Sequence, residues 1–201
     1  MASEVDISNL ALSRIGDEAT VSSINPAEGS AQAEHCARFY PMARDSMLEA
    51  HGWRFATRRT VLAALSIPTW TWSYAYAMPN GLIRVLAVLP PDAPGDADPQ
   101  RYETETDGAG TPIIYTDQPS AILRYIARVT DTTKFSPLFV DALAWLLASY
   151  LAGPILKGDS GVKIAAACLN AYQTAFSAAK VSDTNQRNVR AQAAAPWIRV
   201  R

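Results

Sequence analysis

Two histidines, His35 and His51, and two cysteines, Cys36 and Cys168, hold all the imidazole and thiol chemistry of this 201-residue chain. A zinc site needs several such ligands at short spacings, and an activated nucleophile needs a base beside it. The four residues show no metal-ligand spacing, so no metal and no cofactor is expected. Each cysteine falls on the apolar face of an expected helix, where a thiol packs as a small hydrophobe; a disulfide between them stays open. His51, next to Gly52 and Trp53, reads as a helix-terminal histidine that satisfies backbone carbonyls.

Other groups carry chemistry only in principle. Residues 158–161 spell GDSG, the nucleophile signature of trypsin-like serine proteases, but they sit between two expected helices without a partner histidine. A turn in which Asp159 or Ser160 caps the last helix is the simpler reading. Glu103, Glu105 and Asp107 line one strand and turn, and paired carboxylates can hydrolyse a glycan; the same alternation suits a solvated strand face. There is no glycine-rich phosphate loop. The remaining concentration is basic: Arg187, Arg190, Arg199 and Arg201 follow the last acid, Asp183, and flank Trp197 and Ile198.

Composition sets the frame for these groups. With 49% hydrophobic and 18% charged residues, the chain is expected to fold around one core, with a modest insertion at most. Its formal net charge of −1 offers no whole-molecule attraction to nucleic acid or anionic membrane. No apolar run is expected to approach the roughly 18 residues of a membrane span. The acidic N-terminus is unlike a signal peptide, so the expected place of synthesis is the cytoplasm.

Hydrophobic spacing then places the elements. Ser3, with Asp6 in the capping-box position, opens a first helix whose stripe is Val5, Ile7, Leu10, Ala11 and Ile15, and Gly16 ends it. Ala33, Cys36, Ala37, Tyr40, Ala43 and Met47 recur at helical steps and predict a long second helix, with a bend expected at Pro41. From Trp53 to Thr130 the period becomes two. Six segments, WRFATRRTVLAAL, TWSYAYAM, LIRVLAVL, RYETET, PIIYT and AILRYIARV, read as strands separated by turns. In the last of these Arg124 and Arg128 share a face expected to meet water or a neighbour. Helical spacing returns at Ser136-Pro137 and runs to Gly153-Pro154. A final helix presents Ala165, Cys168, Leu169, Tyr172, Ala175, Phe176 and Ala179, and from Ser182 the pattern stops.

The expected fold class is therefore α+β and mainly helical. A four-helix-type bundle core (1–52 and 131–181) holds an inserted antiparallel β subdomain (53–130), followed by an extended C-terminal arm (182–201). Arg54, Arg58 and Arg59, beside Trp53 and Phe55, are a candidate subunit-interface patch, or else a charged strand edge that blunts aggregation.

Four blocks, ISNLALSRIG, ARFYPMARDSMLEAHGWRFATRR, WSYAYAMPNGLIRV and FVDALAWLLASYLAGPI, resemble in the same order the tail tubular protein A and head-to-tail adaptor family of short-tailed bacteriophages and related prophages. The resemblance covers about the first 180 positions, and none of its motifs is catalytic. It implies a helical bundle with an inserted β subdomain and a structural virion protein of the tail or neck, without enzymatic activity. Such proteins form a dodecameric ring beneath the portal protein, extend the channel through which double-stranded DNA is packaged and ejected, and dock a tail nozzle or tube protein. The DNA passes without sequence-specific binding, and no membrane partner is implied. The resemblance also implies a portal-binding C-terminal arm, a role that falls to Arg187, Arg190, Trp197, Ile198, Arg199 and Arg201. Two other classes stay open: a virion-associated peptidoglycan hydrolase using Glu103 and Glu105, and a nucleic-acid-binding module acting through the arginine-rich tail.

Overall fold

The computed structural model describes residues 2–92, 96 and 98–186. The six expected arm residues, from Arg187 to Arg201, lie outside them. The described chain is mixed α and β, with four α-helices and two small antiparallel sheets of three strands each.

Helix α1 (Glu4–Arg14) starts with the expected capping box: Ser3 Oγ accepts from the Asp6 amide at 3.0 Å and Asp6 accepts from the Ser3 amide at 2.8 Å. Its buried side is Ile7, Ala11, Leu12 and Ile15, while Leu10 is exposed. Helix α2 (Ala31–Ala50), capped by Ser30, runs unbroken through Pro41. Helix α3 (Pro137–Leu156) is capped by Ser136, and continues past Gly153-Pro154, where its end was expected. Helix α4 (Gly158–Asn185) is 28 residues long and includes Ser182–Asn185, so the expected arm boundary at 182 moves outward.

Helix α3 is the hub: α1, α2 and α4 all pack against it. It is long and apolar enough to cross a membrane by length and composition alone, contrary to the expectation that no such run exists, and half of that stretch is buried inside this core. Arg14 ties α1 to it, donating to the Asp141 carbonyl at 2.8 Å, pairing with the Asp141 carboxylate, and lying 4.1 Å over the Trp145 ring. One residue, Lys157 at φ 54°, joins α3 to α4. The GDSG letters therefore form the first turn of α4, not a capping turn: no side chain caps this helix. Gly161 is required by closeness, because a Cβ there would lie 2.9 Å from the Ala152 carbonyl oxygen.

Four of the six strand segments are shorter than their patterns suggested, while LIRVLAVL and PIIYT match their strands. Trp53 belongs to no strand, and a 3₁₀ turn at Arg54–Ala56 precedes β1 (Thr57–Val61). The others are β2 (Tyr74–Ala77), β3 (Leu82–Leu89), β4 (Tyr102–Thr106), β5 (Pro112–Thr116) and β6 (Ile122–Ala127). The first sheet has the order β1-β6-β3 and the second β2-β5-β4. Alternation along β6 separates two cores. Leu123, Tyr125 and Ala127 pack with Val88, Tyr76 and Ile114 between the sheets, whereas Ile126 joins the helical core. The Arg124 side of β6, expected to meet water or a neighbour, abuts the helices of its own chain.

Trp53 closes the helical core. It is fully buried, its Nε1 donates to the Met47 carbonyl at 2.6 Å, and it meets Phe139 edge-on at a centroid distance of 4.9 Å. Phe176 of α4 and His51 also abut the ring. The two cysteines are free and buried.

Two predictions follow from this packing. Alanine normally favours a helix over glycine by about 1 kcal/mol, yet Gly161→Ala should lower unfolding free energy by roughly 1–3 kcal/mol through the clash with Ala152; urea denaturation showing stabilisation would refute the close approach. Burial pushes the Cys36 thiol up to about 11, and burial also raises Tyr40, Cys168 and Tyr172. The unfolded chain then loses protons first, so it binds fewer than the folded chain and stability falls as pH rises from 9 towards 11. Melting temperatures measured across that window should decline; a flat profile contradicts the buried placement.

Candidate functional site

The three arginines expected to form a patch separate at the joint between helices and sheet. Arg54 sits in the 3₁₀ turn, where its amide donates to Asp183 Oδ1 at 3.0 Å and its Nε to the Asp183 carbonyl at 3.2 Å. Arg58 and Arg59 are neighbours on β1 and point to opposite faces. Arg58 is exposed and opposite Tyr125, whereas Arg59 is directly opposite Arg124 on β6. Arg54 and Arg59 therefore share a cleft of about 200 Å³ with Gly52, Thr57, Asp96 and Arg124, and Arg58 does not line it.

Like charges directly opposite on paired strands repel. Here Asp96 bridges them: one carboxylate oxygen pairs with Arg59 and the other accepts from Arg124 at 2.8 Å. Asp96 comes from the proline- and aspartate-rich stretch PPDAPGDADP after β3. Arg124 belongs to the cleft through strand register, a signal that was readable only once the pairing was known.

Asp183 is the other residue that sequence reasoning missed. It is nearly buried and holds His51 at 3.2 Å as well as Arg54. His51 thus meets a carboxylate from α4 rather than helix carbonyls. It also lies about 35 Å along α4 from Ser160, so the GDSG serine and this histidine are far apart.

Glu103 and Glu105 lie on β4, every residue of which is exposed. Glu103 accepts from Trp72 Nε1 at 3.1 Å. Glu105 lines a separate cleft of about 290 Å³ with Asp107, Trp70 and Tyr115. Among the described residues no group of three His, Cys, Asp or Glu is placed to hold a metal ion.

Large apolar side chains are exposed on two further surfaces. Helix α4 buries only Gly161, Cys168, Ala179 and Asp183, and shows Val162, Leu169 and Val181 to solvent. Leu169 was expected on its inner face. Trp70, at φ 53° in the segment between β1 and β2, is 83% exposed. Surface aromatics and arginines of this kind are enriched at protein interfaces. No protein-family model and no curated protein matches the chain.

The bridged arginine pair gives a direct test. Asp96→Asn should lower stability by about 1 kcal/mol, and the loss should shrink as salt screens the repulsion. Thermal melts at low and high ionic strength measure it; an unchanged melting temperature at low salt contradicts the bridge.

Proposed function

We propose that this chain is a head-to-tail adaptor of a short-tailed phage or prophage, a structural virion protein of the neck without catalytic activity. The observation that carries the reading is the element order. Two helices, six strands and two helices follow one another; the chain leaves the helical core at Trp53 and returns to it after β6 at Val129 and Phe135. This is the organisation implied by the family that the four sequence blocks resemble, with the four helices as one bundle-type core.

A ring requires heterologous contacts, in which one surface of each copy meets a different surface of the next. The exposed face of α4, the Trp70 projection and the arginine cleft supply unlike surfaces on one chain. Arg54, Arg58 and Arg59 are the proposed subunit contacts, now joined by Arg124. In this reading the subunits close as a dodecamer under the portal protein, DNA threads the channel without sequence-specific binding, and a tail nozzle or tube protein docks below. Arg187, Arg190, Trp197, Ile198, Arg199 and Arg201 engage the portal. An aromatic anchor flanked by arginines suits that task, because such residues dominate interface energies.

The test is the mass of the purified protein alone and with its cognate portal, for the full chain and for a chain ending at Gln186, which leaves Asp183 and α4 whole. The full chain should join the portal as a ring and the shortened chain should not. Binding by both forms would refute the role of the arm, and binding by neither would overturn the adaptor reading.

A further inference from the structure

Among the described residues, another cleft differs in character from the arginine joint. It is a half-open groove of about 1000 Å³ lined by Glu4, Ile24, Pro26, Glu34, Tyr40 and Arg44, with Asn25, Ala27, Ala37, Pro41, Thr130 and Asp131 completing it. Such a volume lies at the upper end of ligand-sized clefts, and its half-open form suits an extended peptide better than an enclosed small molecule.

One group within it is unsatisfied, and a nearly buried guanidinium stands beside it. The Tyr40 side chain is 1% exposed, and among the described residues its hydroxyl has no hydrogen-bond partner. Leaving such a group unpaired costs about 1–3 kcal/mol. Arg44 is 7% exposed, and its one salt bridge runs from Nε to the adjacent Asp45 at 2.9 Å. The Tyr40 hydroxyl feels both the Glu4 and the Arg44 charge, so donors and acceptors stand side by side over the apolar floor of Ile24, Pro26 and Ala37. An extended backbone offers the matching set, with carbonyls for Tyr40 and Arg44 and amides for the glutamates.

Charge selects among peptides. The lining holds three carboxylates, Glu4, Glu34 and Asp131, against one guanidinium, Arg44, and Asp131 is already engaged by Thr133 and Lys134. A basic, acid-free strand with an apolar anchor complements it. Residues 187–201 of this chain carry four arginines, no acid, and Trp197-Ile198. Their origin is also suitably placed. The end of α4 is tied by Asp183 to His51, at the end of α2, and Arg44 lies about two turns back along that helix. Fifteen residues reach up to about 50 Å when extended.

We propose that this groove is the seat of the chain's own C-terminal segment, residues 187–201, with Trp197-Ile198 over the apolar floor and the arginines facing Glu4 and Glu34. The segment would be held there in the free protein and surrendered to whatever partner competes for it. This inference needs no portal and stands apart from the adaptor reading.

The experiment uses the full chain with Trp197→p-benzoylphenylalanine, irradiated at low concentration in the absence of any partner and mapped by mass spectrometry. Cross-links should fall on residues 24–27, 34–44 or 130–131. The combined Glu4→Gln and Glu34→Gln substitutions should cut their yield about fivefold, as expected for the loss of roughly 1 kcal/mol of pairing, with the circular dichroism spectrum unchanged. A monomeric mass assigns the segment to its own groove; a dimeric mass would overturn that and assign the groove to the segment of a second copy. Cross-links elsewhere, none at all, or a yield indifferent to the two glutamates would overturn it. Failure here leaves the portal-binding test unaffected, since no portal is present.

Discussion

The burial of Trp53 is the constraint on which the rest of the structure depends. An indole has one polar atom, and removing it from water without a partner costs free energy. Here the Nε1 donates to Met47, one of the last carbonyls of α2 that the helix itself leaves without a partner. Two unmet groups thereby satisfy each other, and the ring can take its place between α3 and α4. Once it is there, the direction in which the chain leaves α2 is set. Asp183 then holds the next residue from the other side, through the Arg54 amide. The sheet is hung from this joint, and its register places Arg59 and Arg124 together.

The same joint explains which parts of the fold were legible in the sequence. Helix starts at Ser3 and Ser136 could be read because a capping hydroxyl acts on its own neighbours within one turn. Strands β3 and β5 were read to the residue, since their apolar runs are bounded by local turn signals. The errors fell where distant contacts decide. Trp53 and Phe55 alternate like a strand, yet tertiary aromatic packing draws them into the helical core. Ser182–Asn185 has no apolar period, because a buried aspartate rather than a hydrophobic stripe holds that turn down. Gly153-Pro154 looks like a stop, but packing of α3 against α4 carries the helix through it.

The candidate site was legible only in part for a related reason. A cluster of arginines in sequence need not be a cluster in space: period-two geometry sends Arg58 away from Arg59, while register brings in Arg124 from 65 positions further along the chain. Net charge near zero hides such local concentrations. The molecule combines a basic cleft at its joint with an acid-rich groove along α2, and both lie outside the hydrophobic cores that hold the fold.

Electron cryomicroscopy of the full chain mixed with its cognate portal tests the adaptor account most directly. The account predicts a closed ring seated beneath the portal, with the arginine joint of each copy against its neighbour and a continuous channel along the axis. Isolated copies bound at random, or a portal left bare at saturating protein, would contradict it.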